Sequence, residues 1–161
     1  MSPDSFQICL IDMKRIPILL FLLLSLSAWS QDRLKSGAVF DGSVVPKDRM
    51  VETLVDGGSV KEYGLSLFRS VRFDVDEAEF RTVTSLVLSD AAQAYNKETE
   101  IDRGRLRYAM MSFSSVRKDG EFLCFQSRTN EDGTCSVILV YMQGETTLAD
   151  LKGKIKNSTR K

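Results

Sequence analysis

Histidine is the first residue to look for in a catalytic or metal site, and this chain contains none. That removes the commonest general base and the commonest metal ligand. It excludes Ser-His-Asp and Cys-His catalysis in their usual forms, and zinc sites built on imidazole nitrogens. Carboxylates are the remaining candidates, and they pair at Asp74/Asp76, Asp76/Glu79 and Glu98/Glu100. Two carboxylates roughly 5–10 Å apart suffice to hydrolyse a glycoside, so a histidine-free hydrolase is one reading. These pairs fall in short charged segments at helix ends, where acids ordinarily satisfy a first turn or sit in solvent. The capping reading outweighs catalysis, and no catalytic, cofactor-binding or metal-binding residue is assigned. Gly57-Gly58 lacks the lysine-containing pattern of a phosphate loop.

Thiols are the other reactive groups. Cys124 and Cys135 flank Asp132-Gly133, a hairpin signal between two β-rich runs. A two-residue turn there sets Cys135 opposite Asn130 and Cys124 opposite Tyr141. The sulfurs then lie roughly 20 Å apart along the ladder at about 3.4 Å per residue, far beyond disulfide reach. Two free thiols are expected. Neither a Cys-x-x-Cys spacing nor a histidine is present to make a redox site.

The elements that hold these groups follow from periodicity. Gly37–Phe40 reads as a short strand before an Asp41-Gly42 turn. Pro46 opens a helix whose apolar side is Met50, Leu54 and Val51, closed by Gly57-Gly58. Residues 63–73 alternate, with Tyr63, Leu65, Leu67, Val71 and Phe73 on one side, and form a half-buried strand. The strongest pattern spans 77–97. Asp76 and Glu79 make a capping box, and Phe80, Val83, Val87, Ala91 and Ala94 recur at three and four residues. Three further strands, 106–113, 121–128 and 134–142, are separated by two Asp-Gly turns. Leu123 and Phe125 are expected to share a core face with Ile138, Val140 and Met142. The opposite face, with Phe122, Cys124, Val137, Leu139 and Tyr141, is more apolar than a wet face needs to be. It is therefore covered by a short helix or serves as an interaction surface. Thr147 caps a last helix with Leu148, Leu151 and Ile155 as its stripe. The bases that follow, Lys152, Lys154, Lys156, Arg160 and Lys161, suit a helix C-terminus, and Asn157-Ser158-Thr159 reads as a chance sequon. The fold class is α+β: an antiparallel meander of three strands joined by a fourth, a long helix on one face, and short N- and C-terminal helices.

Residues 13–30 carry the three-part pattern of a secretory signal: Lys14-Arg15, the uncharged run Ile16–Leu26, and Ala28-Trp29-Ser30 before Gln31. The run is shorter than the roughly 20 apolar residues of a membrane span. Residues 1–12 carry two acids and no base, and read as a start-site artefact ahead of Met13. No cysteine follows the run to take a lipid; Cys9 precedes it. Residues 31–161 are then a single domain, periplasmic or secreted, with no integral membrane segment after cleavage. Charge is balanced, with 22 basic and 22 acidic residues, and cleavage removes two of each. This argues against nucleic acid as a partner.

Two segments carry a resemblance: Leu65–Phe73, and Leu139–Lys152 with its strand, glycine turn and threonine-capped helix. They are similar to segments of small exported Bacteroidetes proteins classed as domains of unknown function, as is the Ala-Trp-Ser-Gln ending of the signal. The resemblance implies a periplasmic home and brings no functional residue with it. A non-enzymatic interaction module, with an unknown protein partner or as a homodimer, is the expected function. A small-ligand binder, with a pocket lined by Phe122, Tyr141 or Phe68, is the alternative, and the carboxylate hydrolase comes third.

Overall fold

The computed structural model describes residues 34–158. The signal at 13–30, the segment 1–12, and Thr159, Arg160 and Lys161 lie outside the described residues.

The fold is α+β, built on one six-stranded antiparallel sheet. In chain order the elements are α1 (Gly37–Phe40), β1 (Val51–Asp56), β2 (Leu65–Val75), α2 (Glu77–Gln93), β3 (Asn96–Asp102), β4 (Arg105–Ser112), β5 (Gly120–Thr129), β6 (Cys135–Gly144) and α3 (Leu148–Ser158). Three 3-10 turns, Lys47–Arg49, Gly57–Tyr63 and Arg117–Asp119, link them. The sheet order is β1-β2-β6-β5-β4-β3. The expected meander is β4, β5 and β6, and the expected fourth strand, β2, lies beside β6. The sheet is two strands wider than expected, because β1 and β3 form its edges.

Helix α2 starts where the pattern placed it. The Asp76 carboxylate accepts from the Glu79 N–H at 2.9 Å, and Glu79 accepts in return from the Asp76 N–H at 3.3 Å. Phe80, Val83, Val87 and Ala91 are buried and pack with Val71, Phe73, Leu123, Phe125, Val137 and Leu139 in the larger core. The helix ends at Gln93 rather than Lys97, where the Lys97 ammonium donates to the Ala91 carbonyl at 2.8 Å. Lys97 belongs to β3 instead, a strand whose seven residues are all exposed. Such a strand has no alternation to read, because neither of its faces is covered.

Two N-terminal expectations are corrected. Residues 37–40 are a helical turn, not a strand. Their entry is held by the Asp90 carboxylate, which accepts from the Lys35 N–H at 2.6 Å and the Ser36 N–H at 2.9 Å. The helix expected from Pro46 to Gly57 is a 3-10 turn followed by β1. Valine and threonine at 51, 53 and 55 favour a strand, and β2 supplies the partner from Val51↔Arg72 to Asp56↔Leu67.

The β5–β6 register is one residue off expectation. The loop holds three residues, Glu131–Gly133, closed by the Asn130 N–H on the Thr134 carbonyl, with Gly133 left-handed at φ 84°. An odd loop of this kind shifts the pairing by one relative to a two-residue turn. Cys124 faces Val140, and Leu123 faces Tyr141. Leu123 and Phe125 therefore share the α2 side with Val137, Leu139 and Tyr141, not with Ile138, Val140 and Met142. The other side carries a second cluster of Val60, Leu65, Met110, Phe122, Met142, Leu148 and Leu151. Helix α3 and the Gly57–Tyr63 turn thus cover part of the face that the sequence left open. Thr147 caps α3 through its hydroxyl, which accepts from the Asp150 N–H at 3.2 Å.

Candidate functional site

Of the candidate acids, Asp74, Asp76, Glu79 and Glu98 are engaged in structure, and Glu100 stands exposed on β3. Asp74 accepts from the Ser136 hydroxyl at 2.5 Å, and Asp76 is the helix cap. Glu79 receives both arms of the Arg49 guanidinium at 2.6 and 3.0 Å, which holds its carboxyl below the usual range. Glu77, hydrogen-bonded by Arg105 and Arg81, is shifted the same way. A general acid needs the opposite shift. Glu98 pairs with Lys152 on the exposed edge strand. Among the described residues no group of three or more acid or cysteine side chains gathers as a metal site would.

A cleft of about 660 Å³ opens at one end of the sheet, lined by Lys61, Gly64, Leu65, Ser66, Lys118, Gly120, Glu121, Gln143, Gly144 and Glu145. Its position follows from glycines. A Cβ at Gly144 would lie 2.2 Å from the Gly64 carbonyl oxygen, and one at Gly120 would lie 2.6 Å from the Gly144 oxygen. Strands β2, β6 and β5 close up there only because these positions lack side chains. The Leu65–Leu67 register shift on β2 throws Ser66 outward, and its hydroxyl donates to the Gln143 carbonyl at 3.3 Å. Beside the floor, the Tyr141 hydroxyl donates to Glu121 at 2.8 Å, and the Gln143 side-chain amide donates to that hydroxyl at 2.5 Å. The aromatic pocket expected at Phe122, Tyr141 or Phe68 is filled instead: Phe122 is buried in the second cluster, and Phe68 packs against it.

A family model described as a family of unknown function (DUF6108) matches residues 23–155. The chain belongs to that family. The match spans every strand of the sheet, the cleft, and both segments on which the resemblance was read. Searches of curated proteins and of solved structures give no match. Within this DUF6108 sheet the cleft residues were missed at the level of sequence. The one available signal was that Gly64, Gly120 and Gly144 each sit at a strand end, two of them where charged residues follow.

Both cysteines are free, as the sequence implied. The corrected register strengthens the reason, since Cys124 lies on the α3 side of the sheet and Cys135 on the α2 side. Burial pushes the Cys124 thiol up to about 11 from its usual 9.0. Its thiolate population at pH 8 is then about 100-fold below that of an open thiol. Labelling of Cys135→Ser with a chromogenic disulfide should be slow by that factor, and a rate equal to the unfolded chain's would refute the burial. The folded state holds the proton more tightly, so this stability is complete below pH 9.0 and is lost as pH rises through about 11. Cys135 is buried and receives the Arg105 guanidinium at 2.8 Å, while that guanidinium also stacks on Phe80 at 4.5 Å.

Proposed function

We propose that this protein is an exported, non-enzymatic interaction module that seats an amphipathic helix of a partner protein on the open half of its second sheet face. One observation carries the reading. Paired residues form a single row across all six strands, Val51, Arg72, Ile138, Gln126, Tyr108 and Glu100. Every member except the half-buried Tyr108 is exposed. Val51 is 69% and Ile138 36% accessible, so apolar surface lies open beside the part that α3 already covers.

The occupant follows from length and charge. Six strands at about 4.8 Å spacing make a row of about 24 Å, which a helix of about 16 residues spans. Helix α3 packs Leu148 and Leu151 with Met110, Phe122 and Met142 on the neighbouring part of the face, so a second helix beside it continues an existing layer. Arg72 stands towards one end of the row and Glu100 at the other, and neither makes an ion pair among the described residues. A helix running from β3 to β1 sets its positive N-terminal end near Glu100 and its negative C-terminal end near Arg72. Export rests on the pattern at 13–30 and on the resemblance to exported Bacteroidetes proteins, which also supports a periplasmic location.

A photo-crosslinking residue at Ile138 tests the surface in cells. It should join one other polypeptide, mapped by mass spectrometry to an amphipathic helical segment, and Arg72→Glu should abolish the adduct. A crosslink to a second copy, with a dimer seen by light scattering, would replace the partner. No adduct at all would overturn the site. The mass of the purified protein tests export: a chain starting at Gln31 is expected, and an uncleaved cytoplasmic chain would end that part of the proposal.

A further inference from the structure

The cleft at the sheet end lies apart from the open row and carries an independent inference. We propose that it binds a small zwitterion of about di- to tripeptide size, with the ligand carboxylate at Lys61 and Lys118 and its ammonium at Glu121 and Glu145. The volume, about 660 Å³, is that of a small-molecule site. The charges are the decisive feature. Lys61 comes from the Gly57–Tyr63 turn, Lys118 from the Arg117–Asp119 turn, Glu121 from β5, and Glu145 from the bend just after β6. Four separate segments thus bring two cations and two anions to one opening.

These charges do not cancel each other. Lys61, Lys118 and Glu145 make no side-chain hydrogen bond or ion pair among the described residues. Glu121 is already held, by the Tyr141 hydroxyl that Gln143 in turn supports, so its carboxylate is fixed before a ligand arrives. A ligand of one sign would meet like charges at the same opening, whereas a molecule carrying both signs can satisfy both pairs. The glycines are explained by strand packing alone. Packing does not explain uncancelled charges of both signs around a floor of bare backbone.

Trialanine with free termini is the probe, followed by amide chemical-shift titration of residues 31–161 expressed with their signal so that the natural chain is isolated. Saturable shifts at Gly64, Ser66, Gly120 and Gly144 are expected. N-acetylation or C-amidation of the peptide should each weaken binding about threefold to fivefold, the worth of one exposed ion pair. Lys118→Ala and Glu145→Gln should reproduce those losses, carboxylate-end and ammonium-end respectively, and the spectrum itself reports that each variant is folded. No shift at these amides at 20 mM (a concentration roughly matching the weakest useful site) would overturn the site. Equal binding of the blocked peptides would overturn the zwitterion. Either failure leaves the crosslink at Ile138 unaffected, so the two proposals fall separately.

Discussion

Gly144→Ala is expected to destabilise the protein by about 3 kcal/mol or more, read as a drop in the urea midpoint at constant slope. The added Cβ would meet the Gly64 oxygen at 2.2 Å, the Leu65 Cα at 2.6 Å and the Gly64 carbonyl carbon at 3.0 Å. All three are backbone atoms, so no side chain can rotate away. Relief requires β2 and β6 to separate at the Leu65↔Gly144 pair, and that opens the second core beneath them. A domain of ordinary stability, about 5–15 kcal/mol, loses a large share. Gly133→Ala supplies the contrast. Nothing lies within 4 Å of its Cβ, and only the left-handed φ of 84° is strained, so about 1 kcal/mol is expected. If the two substitutions cost the same, close strand approach does not explain Gly144. The same substitution should abolish the trialanine shifts, because the cleft floor is the part that moves.

The elements read correctly from sequence were those whose local chemistry agreed with their surroundings. Asp76 and Glu79 cap a helix that buries Phe80, Val83, Val87 and Ala91, so capping and periodicity point the same way. The strands β4, β5 and β6 are apolar enough to be read even though their register was not. That register turned on one residue of loop length, a decision made by Gly133 and invisible to hydrophobic pattern, and it exchanged the two faces of β6. Strand β1 was mistaken for a helix because Met50, Val51 and Leu54 imitate helical spacing, while its real support is hydrogen bonding to β2. Strand β3, with acids at 98, 100 and 102, has no apolar pattern at all. The cleft was illegible for a related reason: its residues come from two turns and from the ends of three strands, β2, β5 and β6, and only the sheet order brings them together. Lys61 and Lys118 looked like ordinary surface lysines.

Charge on the edges bears on how the proposed surface avoids self-association. Antiparallel pairing of β3 with a second β3 about Thr99 would set Glu98 against Glu100 of the other copy, a like-charge pair. Exposed edges are a standing risk of strand-to-strand association, and charged edge residues reduce it. On the sheet face the open row carries Arg72 between Val51 and Ile138, a single charge flanked by exposed apolar side chains. A partner helix is therefore more compatible with the face than with the edges, which is why the crosslink is placed at Ile138.

Asp90→Ala is expected to cost about 2–4 kcal/mol, or to release residues 34–50 from the fold if that costs less. Asp90 is 2% exposed on α2, an acid on the helix face that otherwise carries Val83, Val87 and Ala91. It is there to receive two backbone donors, Lys35 N–H and Ser36 N–H, at the entry to α1. Truncation leaves the buried Ser36 N–H without a partner, at about 1–3 kcal/mol, and the part-buried Lys35 N–H at a smaller cost. The chain can escape that penalty only by peeling away. Peeling exposes Val39, Phe40 and Val45, all buried, and strips the Arg69 guanidinium of the Phe40 ring at 5.2 Å and the Phe40 carbonyl at 3.0 Å. Full burial of such side chains is worth about 1.5–3 kcal/mol each, so detachment is no cheaper than the broken bonds. The two outcomes are distinguished by amide exchange at residues 37–43: fast local exchange marks a released strap, and uniform acceleration marks global loss. Asp90→Asn should recover part of the stability, since one carbonyl oxygen can still accept while the new NH2 opposes the other donor. Ser36→Ala should do the reverse of Asp90→Ala, because the Ser36 hydroxyl is buried with no partner. Removing it relieves an unsatisfied group and should raise stability by up to about 1 kcal/mol. A neutral Asp90→Ala would mean that the strap is held by its apolar side chains alone. In that case the buried carboxylate would have no structural reason to be there, and the residue would become a candidate for a role of its own.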